Sequence, residues 1–304
     1  MSISGVTNPT PNRLGIITGA TSGIGSASAV ALAARGFDFV LLGRNQRRGD
    51  AIRNRLSREH PAGRFHFVPC DLSSLASVRE AVEGIRQQYR CIDVLINNAG
   101  ARFDRYQESV DGFELTFATN HLGHFLLTSL VLDRVLAAPR ARIITLSSRR
   151  HRSVAEAAPW LVTRRNFERW EVYSRTKLAN ILFAFELARR LDKLSVVSNV
   201  VDPGIVASNF ARNNGLIAWS KHIVSSLTQR ELISCAQAAR TVVYAATSEE
   251  TSGKTGKYFC EQKEAATSEW ALDTNLAAQL WKSSLEWSGL NRQNCPAWPI
   301  LGID

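Results

Sequence analysis

Residues 14–25, LGIITGATSGIG, pass from a short apolar run through a glycine-rich turn straight into a helical pattern. A chain that reverses so tightly between strand and helix is opening a βαβ unit. From there, apolar β-rich runs alternate with longer amphipathic ones, as a parallel sheet covered on both faces by helices requires. The pattern predicts strands over 14–18, 39–42, 65–68, 94–96, 142–146, 195–201 and 257–260. Helices are predicted over 24–34, 46–58, 75–89, two within 113–136, then 173–191, 236–246 and 275–287. Together they predict an α/β fold: a doubly wound, Rossmann-type, three-layer domain with a seven-stranded parallel sheet.

The 304 residues are 45% hydrophobic, which excludes a disordered chain, and they show no fixed-period repeat and no Gly/Ser linker. The expectation is one domain over 1–304. The segments 149–171 and 205–235 break the strand–helix rhythm. The second reads as a substrate lid, with Phe210, Leu216, Ile217, Trp219, Ile223, Val224 and Leu227 at loosely helical spacing. Such a stripe is equally consistent with plain packing. The tail 291–304 is expected to wrap the surface or fray.

The net charge of +10 admits an anionic partner without choosing one. The basic residues are spread along the chain with no nucleic-acid motif, so no nucleic-acid partner is expected. The cysteines Cys70, Cys91, Cys235, Cys260 and Cys295 form no CxxC pair and no zinc spacing, which suits thiols in a reducing compartment. Met1 to Asn12 lacks the pattern of a signal peptide, and no run approaches the ~20 apolar residues of a membrane span. A cytoplasmic protein is expected, with no transmembrane segment.

Glycines at 19, 23 and 25 would let backbone N–H groups close on a pyrophosphate at the start of the first helix. A carboxylate about 20 residues on would select NAD by holding the ribose 2′-hydroxyl. Here the second strand ends Leu42-Gly43-Arg44, and the nearest acid, Asp38, lies at the strand's other end. Arg44 offers a guanidinium fork suited to a 2′-phosphate, with Arg47 or Arg48 adding charge, so the cofactor expected is NADP(H).

Tyr173 and Lys177 are four apart in a helical stretch and share one face. An ammonium close to a phenol favours the phenolate, and this spacing predicts a tyrosine whose pKa is drawn down toward neutrality. YxxxK alone also describes a surface tyrosine beside a surface lysine.

With these parts in order, the chain resembles the short-chain dehydrogenase/reductase family. The matches are TGATSGIG at 18–25, Asp71-Leu72, NNAG at 97–100, Asn120 in ATNHLGHF, Ser147-Ser148, YSRTK at 173–177 and DPG at 202–204. Its retinol-dehydrogenase-like branch is the nearest in character, on TNHLGHFLLT, KLANILF and GKYF. The resemblance implies an NADP-dependent carbonyl reductase or alcohol dehydrogenase. Tyr173 would be proton donor or acceptor, Lys177 would hold the nicotinamide ribose, Ser148 would bind the substrate oxygen, and Asn120 would position a relay water. It implies cofactor contacts from Gly19, Thr21, Ser22, Gly23, Ile24, Arg44, Asp71 and Leu72. It implies further ones from Asn98, Ala99, Gly100, Pro203, Gly204, Ile205 and Ser208, besides Tyr173 and Lys177. The hydride comes from the cofactor. The resemblance also implies a homodimer or homotetramer built on the helices carrying Asn120 and Tyr173.

Asn97 and Asn98 also read as a strand-end turn, Asn120 as a helix kink, and Ser147 as structural. His121 and His124 have no third partner in sequence, so no metal is expected. Asp202 stands where relatives more often carry His or Asn, and the arginines after Ser148 follow no family pattern. The substrate expected is a ketone or aldehyde, or the matching alcohol, on a hydrophobic or aromatic small molecule. The alternatives are an NADP(H)-binding regulator or scaffold, or a reductase of an imine or activated alkene.

Overall fold

The computed structural model describes residues 12–157, 159–206 and 233–302. The strands are β1 (Arg13–Thr18), β2 (Phe37–Gly43), β3 (Phe65–Pro69), β4 (Val94–Asn97), β5 (Arg142–Leu146), β6 (Val197–Asp202), β7 (Tyr258–Cys260) and β8 (Lys263–Glu264). Their order is 3-2-1-4-5-6-7-8. All neighbours pair parallel except β7 and β8, which are antiparallel. Among the described residues the sheet thus has eight strands, not the seven expected. The extra strand comes from a two-residue turn at Glu261 and Gln262, both at positive φ (52° and 61°), which folds Lys263 back onto Cys260. A two-residue strand is too short to leave a periodic signal.

Side chains alternate across the sheet into two cores. Leu14, Ile16, Val40, Leu42 and Ile143 enter one core, while Ile17, Phe39, Leu41 and Ile144 enter the other. The helices are α1 (Gly23–Ala33), α2 (Gln46–Glu59), α3 (Leu75–Gln88), the single turn α4 (Leu115–Phe117), α5 (Gly123–Leu136), α6 (Arg169–Arg190), α7 (Cys235–Thr247), α8 (Thr274–Ser288) and α9 (Trp298–Leu301). Helices α1, α2 and α7 close one face of the sheet, and α3, α5 and α6 close the other.

The two helices expected within 113–136 are one continuous path, in which α4 runs through a π-helical segment, Ala118–Leu122, into α5. Helix α6 starts at Arg169, earlier than expected, because the Glu168 side chain accepts the Glu171 N–H and caps it. Strand β6 starts later than expected, since the chain leaves α6 through Lys193 at φ 65° and pairing begins only at Val197.

Beyond α8 the chain is packed rather than frayed. Cys295, Ala297 and Leu301 are buried, and the Trp281 indole N–H donates to the Leu301 carbonyl at 2.9 Å. No helix among the described residues is long and apolar enough to cross a membrane.

Candidate active site

Strand order reverses direction between β1 and β4, and in such sheets a crevice opens beyond the carboxyl ends of the strands flanking that point. A cavity of about 440 Å³ lies there, with the turn after β1 and Asn98–Gly100 after β4 as its walls.

The glycine-rich turn has the shape its sequence requires. Gly19 sits at φ +66°, and a Cβ on Gly25 would lie 2.4 Å from the Gly19 carbonyl oxygen and 2.5 Å from Asn98 Nδ2. Close approach of backbone to backbone is therefore built in. Ser22, the N-cap of α1, makes no capping bond, whereas Asn45 and Ser74 cap α2 and α3 with their side chains. The first turn of α1 thus keeps its N–H dipoles directed at the crevice.

One end of the cavity is lined by Thr21, Ser22, Gly23, Ile24, Arg44, Arg48, Asp71 and Leu72. Asp71 is held in orientation by the Ser73 N–H (3.0 Å) and hydroxyl (2.7 Å). Asp38 is remote from this end. It is buried at the start of β2 and paired with Arg64 at 2.8 Å. Arg48 lines the cavity, whereas Arg47 is not among the lining residues. The cradle fits a dinucleotide: flexible glycines, an uncapped helix start, a carboxylate and two arginines face one slot.

The other end is lined by Ala99, Gly100, Ala101, Ser147, Tyr173, Lys177 and Pro203. Tyr173 and Lys177 lie one turn apart on α6, both buried, with Lys177 Nζ 5.7 Å from the Tyr173 ring centroid. Lys177 Nζ donates to the Leu146 carbonyl at 3.3 Å, and Asn180 Nδ2 donates to the same oxygen at 3.0 Å. Ser147 is anchored through its hydroxyl to the Lys177 carbonyl (2.8 Å), a positioning contact. Ser148 makes a side-chain hydrogen bond with Tyr173 that favours the phenolate.

Burial nevertheless dominates and pushes the Tyr173 phenol above its ordinary value. Ser148, Arg102 and Arg150 pull it down and Asp202 pushes it up. Burial also pushes Lys177 down to about 8, with Asp202 opposing. The expected drop of the tyrosine toward neutrality by its lysine is therefore not what the folded chain displays. Desolvation acts on both groups at once, favouring a neutral phenol and weakening the ammonium meant to ionise it.

Asn120 falls in the π-helical segment, where an irregular turn often marks a functional position. Its Oδ1 accepts the Ala101 N–H (2.7 Å), and its Nδ2 donates to the Ala101 carbonyl (2.8 Å) and to Thr176 Oγ1 (3.0 Å). A Cβ placed on Gly100 would sit 3.4 Å from Lys177 Nζ and 3.7 Å from Asn120 Oδ1, which puts these three residues together. Asn120 and Ser148 adjoin the cavity without being among its lining residues.

Two groups that sequence reasoning missed join these parts. Thr18 Oγ1 accepts the N–H groups of Asn98 and Ala99, each at 2.9 Å, and lies 2.8 Å from His124 Nε2. His124 Nδ1 lies 3.0 Å from the Asn120 carbonyl oxygen. With Thr18 donating to Nε2, the imidazole is neutral and carries its hydrogen on Nδ1, and burial holds its pKa down at about 4. The sequence signal was the i,i+4 step from Asn120 to His124. His121 turns away to Ser284 (2.9 Å), so the two histidines have different partners.

Asp202 ends β6, where Oδ1 accepts the Gly204 N–H (2.9 Å) and Oδ2 accepts the Tyr258 hydroxyl (2.8 Å). Ile205 binds Ile233 through its carbonyl at 2.9 Å. Gly204 and Ile205 are not among the cavity-lining residues. Ser208 and the lid stripe from Phe210 to Leu227 lie outside the described residues.

Residues 14–216 match the family model described as short chain dehydrogenase. The chain belongs to this family. Across 90% of its length this dehydrogenase is 35% identical to retinol dehydrogenase 14 of Homo sapiens, covering 86% of that protein. It is also 35% identical to polyprenol dehydrogenase of Mus musculus, over 92% of its own length and 85% of the relative's. These similarities place it in the retinol-dehydrogenase-like branch. Its fold is similar to that of an uncharacterized protein from Mycobacterium paratuberculosis, at 30% identity and a TM-score of 0.71, covering 91% of this chain and 93% of the other. L-sorbose reductase from Gluconobacter frateurii, solved with NADPH and L-sorbose, shares the fold at 21% identity and a TM-score of 0.65, over 82% and 94% of the two chains.

Proposed function

We propose that this dehydrogenase is an NADPH-dependent reductase of a ketone or aldehyde on a hydrophobic or aromatic small molecule, with oxidation of the corresponding alcohol as the same chemistry reversed. The observation that carries the reading is a buried phenol, Tyr173, held protonated beside Ser148 and Lys177 at one end of a slot fitted for a dinucleotide. A reductase needs an acid there, and a phenol raised by burial keeps its proton at neutral pH. Bound in the slot, the nicotinamide supplies the hydride.

The chain's own part begins with Ser148, whose hydroxyl orients the substrate oxygen toward Tyr173. As negative charge grows on that oxygen, the Tyr173 hydroxyl gives up its proton to it. Lys177, still mostly ammonium below about pH 8, holds the ribose hydroxyls and stabilises the phenolate left behind. Asn120, fixed by both polar groups of Ala101, keeps the Lys177 end of the site in register and would place the water that returns the proton. At the far end Arg44 and Arg48 face the position of a 2′-phosphate, which supports NADP(H) over NAD.

The printed names of the relatives, dehydrogenases of retinol and polyprenol, support an apolar substrate. In this reading the chain is one NADP(H)-binding domain. The same reading places the protein in a reducing compartment such as the cytoplasm, where its five thiols would stay reduced. A homodimer or homotetramer belongs to the same reading, and the packing of α8 and residues 290–301 against α5 and α6 favours a surface other than that face.

The test is Tyr173→Phe, assayed by carbonyl-dependent NADPH oxidation alongside a cofactor titration. Turnover should fall by about 10²–10⁴ while NADPH affinity holds. Full activity in the variant, or tight NADPH binding with no carbonyl compound reduced by the parent protein, would refute the reading.

A further inference from the structure

Two arginines and one tryptophan gather beside Tyr173, just outside the residues that line the cavity. Trp170 stands one turn before Tyr173 on α6, its ring edge-on to the phenol at 6.3 Å and 79°. The guanidinium carbon of Arg102 lies 3.9 Å from the Trp170 ring centroid, and that of Arg150 lies 4.3 Å from it. Both guanidiniums therefore lie over the indole of Trp170. Arg102 follows Ala101, which lines the cavity, and the Arg150 N–H donates to Ser148 Oγ at 3.3 Å. The stack thus meets the proton-donating tyrosine through Trp170, and Arg150 is bonded to the substrate-oxygen serine through its backbone N–H.

Charge around the stack is unbalanced. Asp104 forms an ion pair with Arg102 at 2.9 Å and is shared with Arg169 at 3.5 Å, while Arg150 makes no ion pair among the described residues. Between Arg149 and Glu171 the chain carries six arginines against three glutamates. Arg102 is buried, and burial holds its guanidinium below the usual arginine range. Crowding cations around one ring costs Coulomb energy that a bound anion would offset. The cofactor phosphates do not explain it, because Arg44 and Arg48 serve the opposite end of the slot.

We propose that the Arg102–Trp170–Arg150 stack recognises a carboxylate on the substrate, so that this dehydrogenase reduces an apolar ketone or aldehyde that is also an acid. A guanidinium over an indole spends its face on the ring, and Arg150, with no ion pair among the described residues, keeps donors for a planar, bidentate oxyanion. The indole would pack against the apolar body of the same molecule. This rests on the carbonyl-reductase reading and narrows its substrate class.

The experiment compares para-formylbenzoate with its methyl ester in the parent protein and in Arg150→Gln, Arg150→Lys and Arg102→Gln. Arg150 is exposed, so its substitution leaves the buried core intact, and thermal melting checks all three variants. The parent should favour the acid by about tenfold or more in kcat/KM, and added salt should erode the preference. Arg150→Gln should bring the acid-to-ester ratio close to one, and Arg150→Lys should restore part of it. A parent that prefers the ester, or an Arg150→Gln variant that lowers both substrates alike, overturns the proposal. Should neither probe consume NADPH, the reductase reading fails separately. The stack is then judged by titrating NADP+-loaded protein with para-hydroxymethylbenzoate and its ester. Acid-selective binding lost in Arg150→Gln supports it, and equal binding overturns it.

Discussion

Asp202 shows how one residue sets the working range of its neighbours. Its carboxylate is held by Tyr258 and the Gly204 N–H, and it raises the pKa of Lys177, which burial has pushed down to about 8. As pH climbs through that value Lys177 loses its charge, so kcat/KM for reduction should fall above about pH 8. Asp202→Asn keeps both hydrogen bonds possible but removes the negative charge. Less charge opposing the burial means a lower Lys177 pKa, so the alkaline limb should move to lower pH. A profile that stays in place would show that Asp202 only braces Tyr258. At the other end of the slot, Arg44→Asp replaces a phosphate-matching fork with a carboxylate suited to a ribose 2′-hydroxyl. The KM for NADPH should rise by about tenfold or more and that for NADH should fall, measured as paired cofactor kinetics.

At the scale of elements, the C-terminal segment works as part of the core. Trp281 on α8 stacks on Phe183 of α6 (6.0 Å, 19°) and meets Phe125 of α5 edge-on at 5.1 Å. Arg190 lies over its outer face at 4.6 Å and donates to the carbonyls of Leu301 and Gly302. One indole thus joins α5, α6, α8 and α9. Trp281→Ala should cost about 3–5 kcal/mol in chemical denaturation, through lost burial and the cavity left behind. The sequence marked 275–287 as helical but gave no sign of what it covers. Likewise 113–136 read as helix, while the π segment that aims Asn120 at Ala101 was invisible. An extra residue in one turn is decided by the contacts it permits, not by apolar spacing.

For the whole molecule, burial of neutral histidines makes stability depend on pH. His121 and His124 have folded values near 3 and 4 against an ordinary 6.5, in both cases chiefly because burial disfavours the imidazolium. Below 6.5 the unfolded chain takes up protons that the folded chain refuses, so stability is complete above that pH and declines as pH falls toward 4. Each histidine contributes a loss of about 1.4 kcal/mol per pH unit in that window. Denaturant titrations at pH 7 and pH 5 should show the drop, and His121→Asn should reduce its slope by about half. A pH-independent midpoint would contradict the neutral, buried assignment.

Local geometry was legible in the sequence because it is written in near neighbours. Glycines at 19, 23 and 25 require a tight turn, an i,i+4 step puts Tyr173 and Lys177 on one face, and continuous apolar runs prescribe strands buried on both sides. The missing carboxylate after β2 was equally readable. Only the folded chain brought Thr18, His124 and Asn120 into one hydrogen-bonded path, set Arg102 and Arg150 over the Trp170 ring, and placed Asp202 against Tyr258. It also reversed the expected direction of the tyrosine's shift. Spacing along the chain fixes which side chains share a face. Desolvation and contacts between distant segments arise only when the layers close on one another.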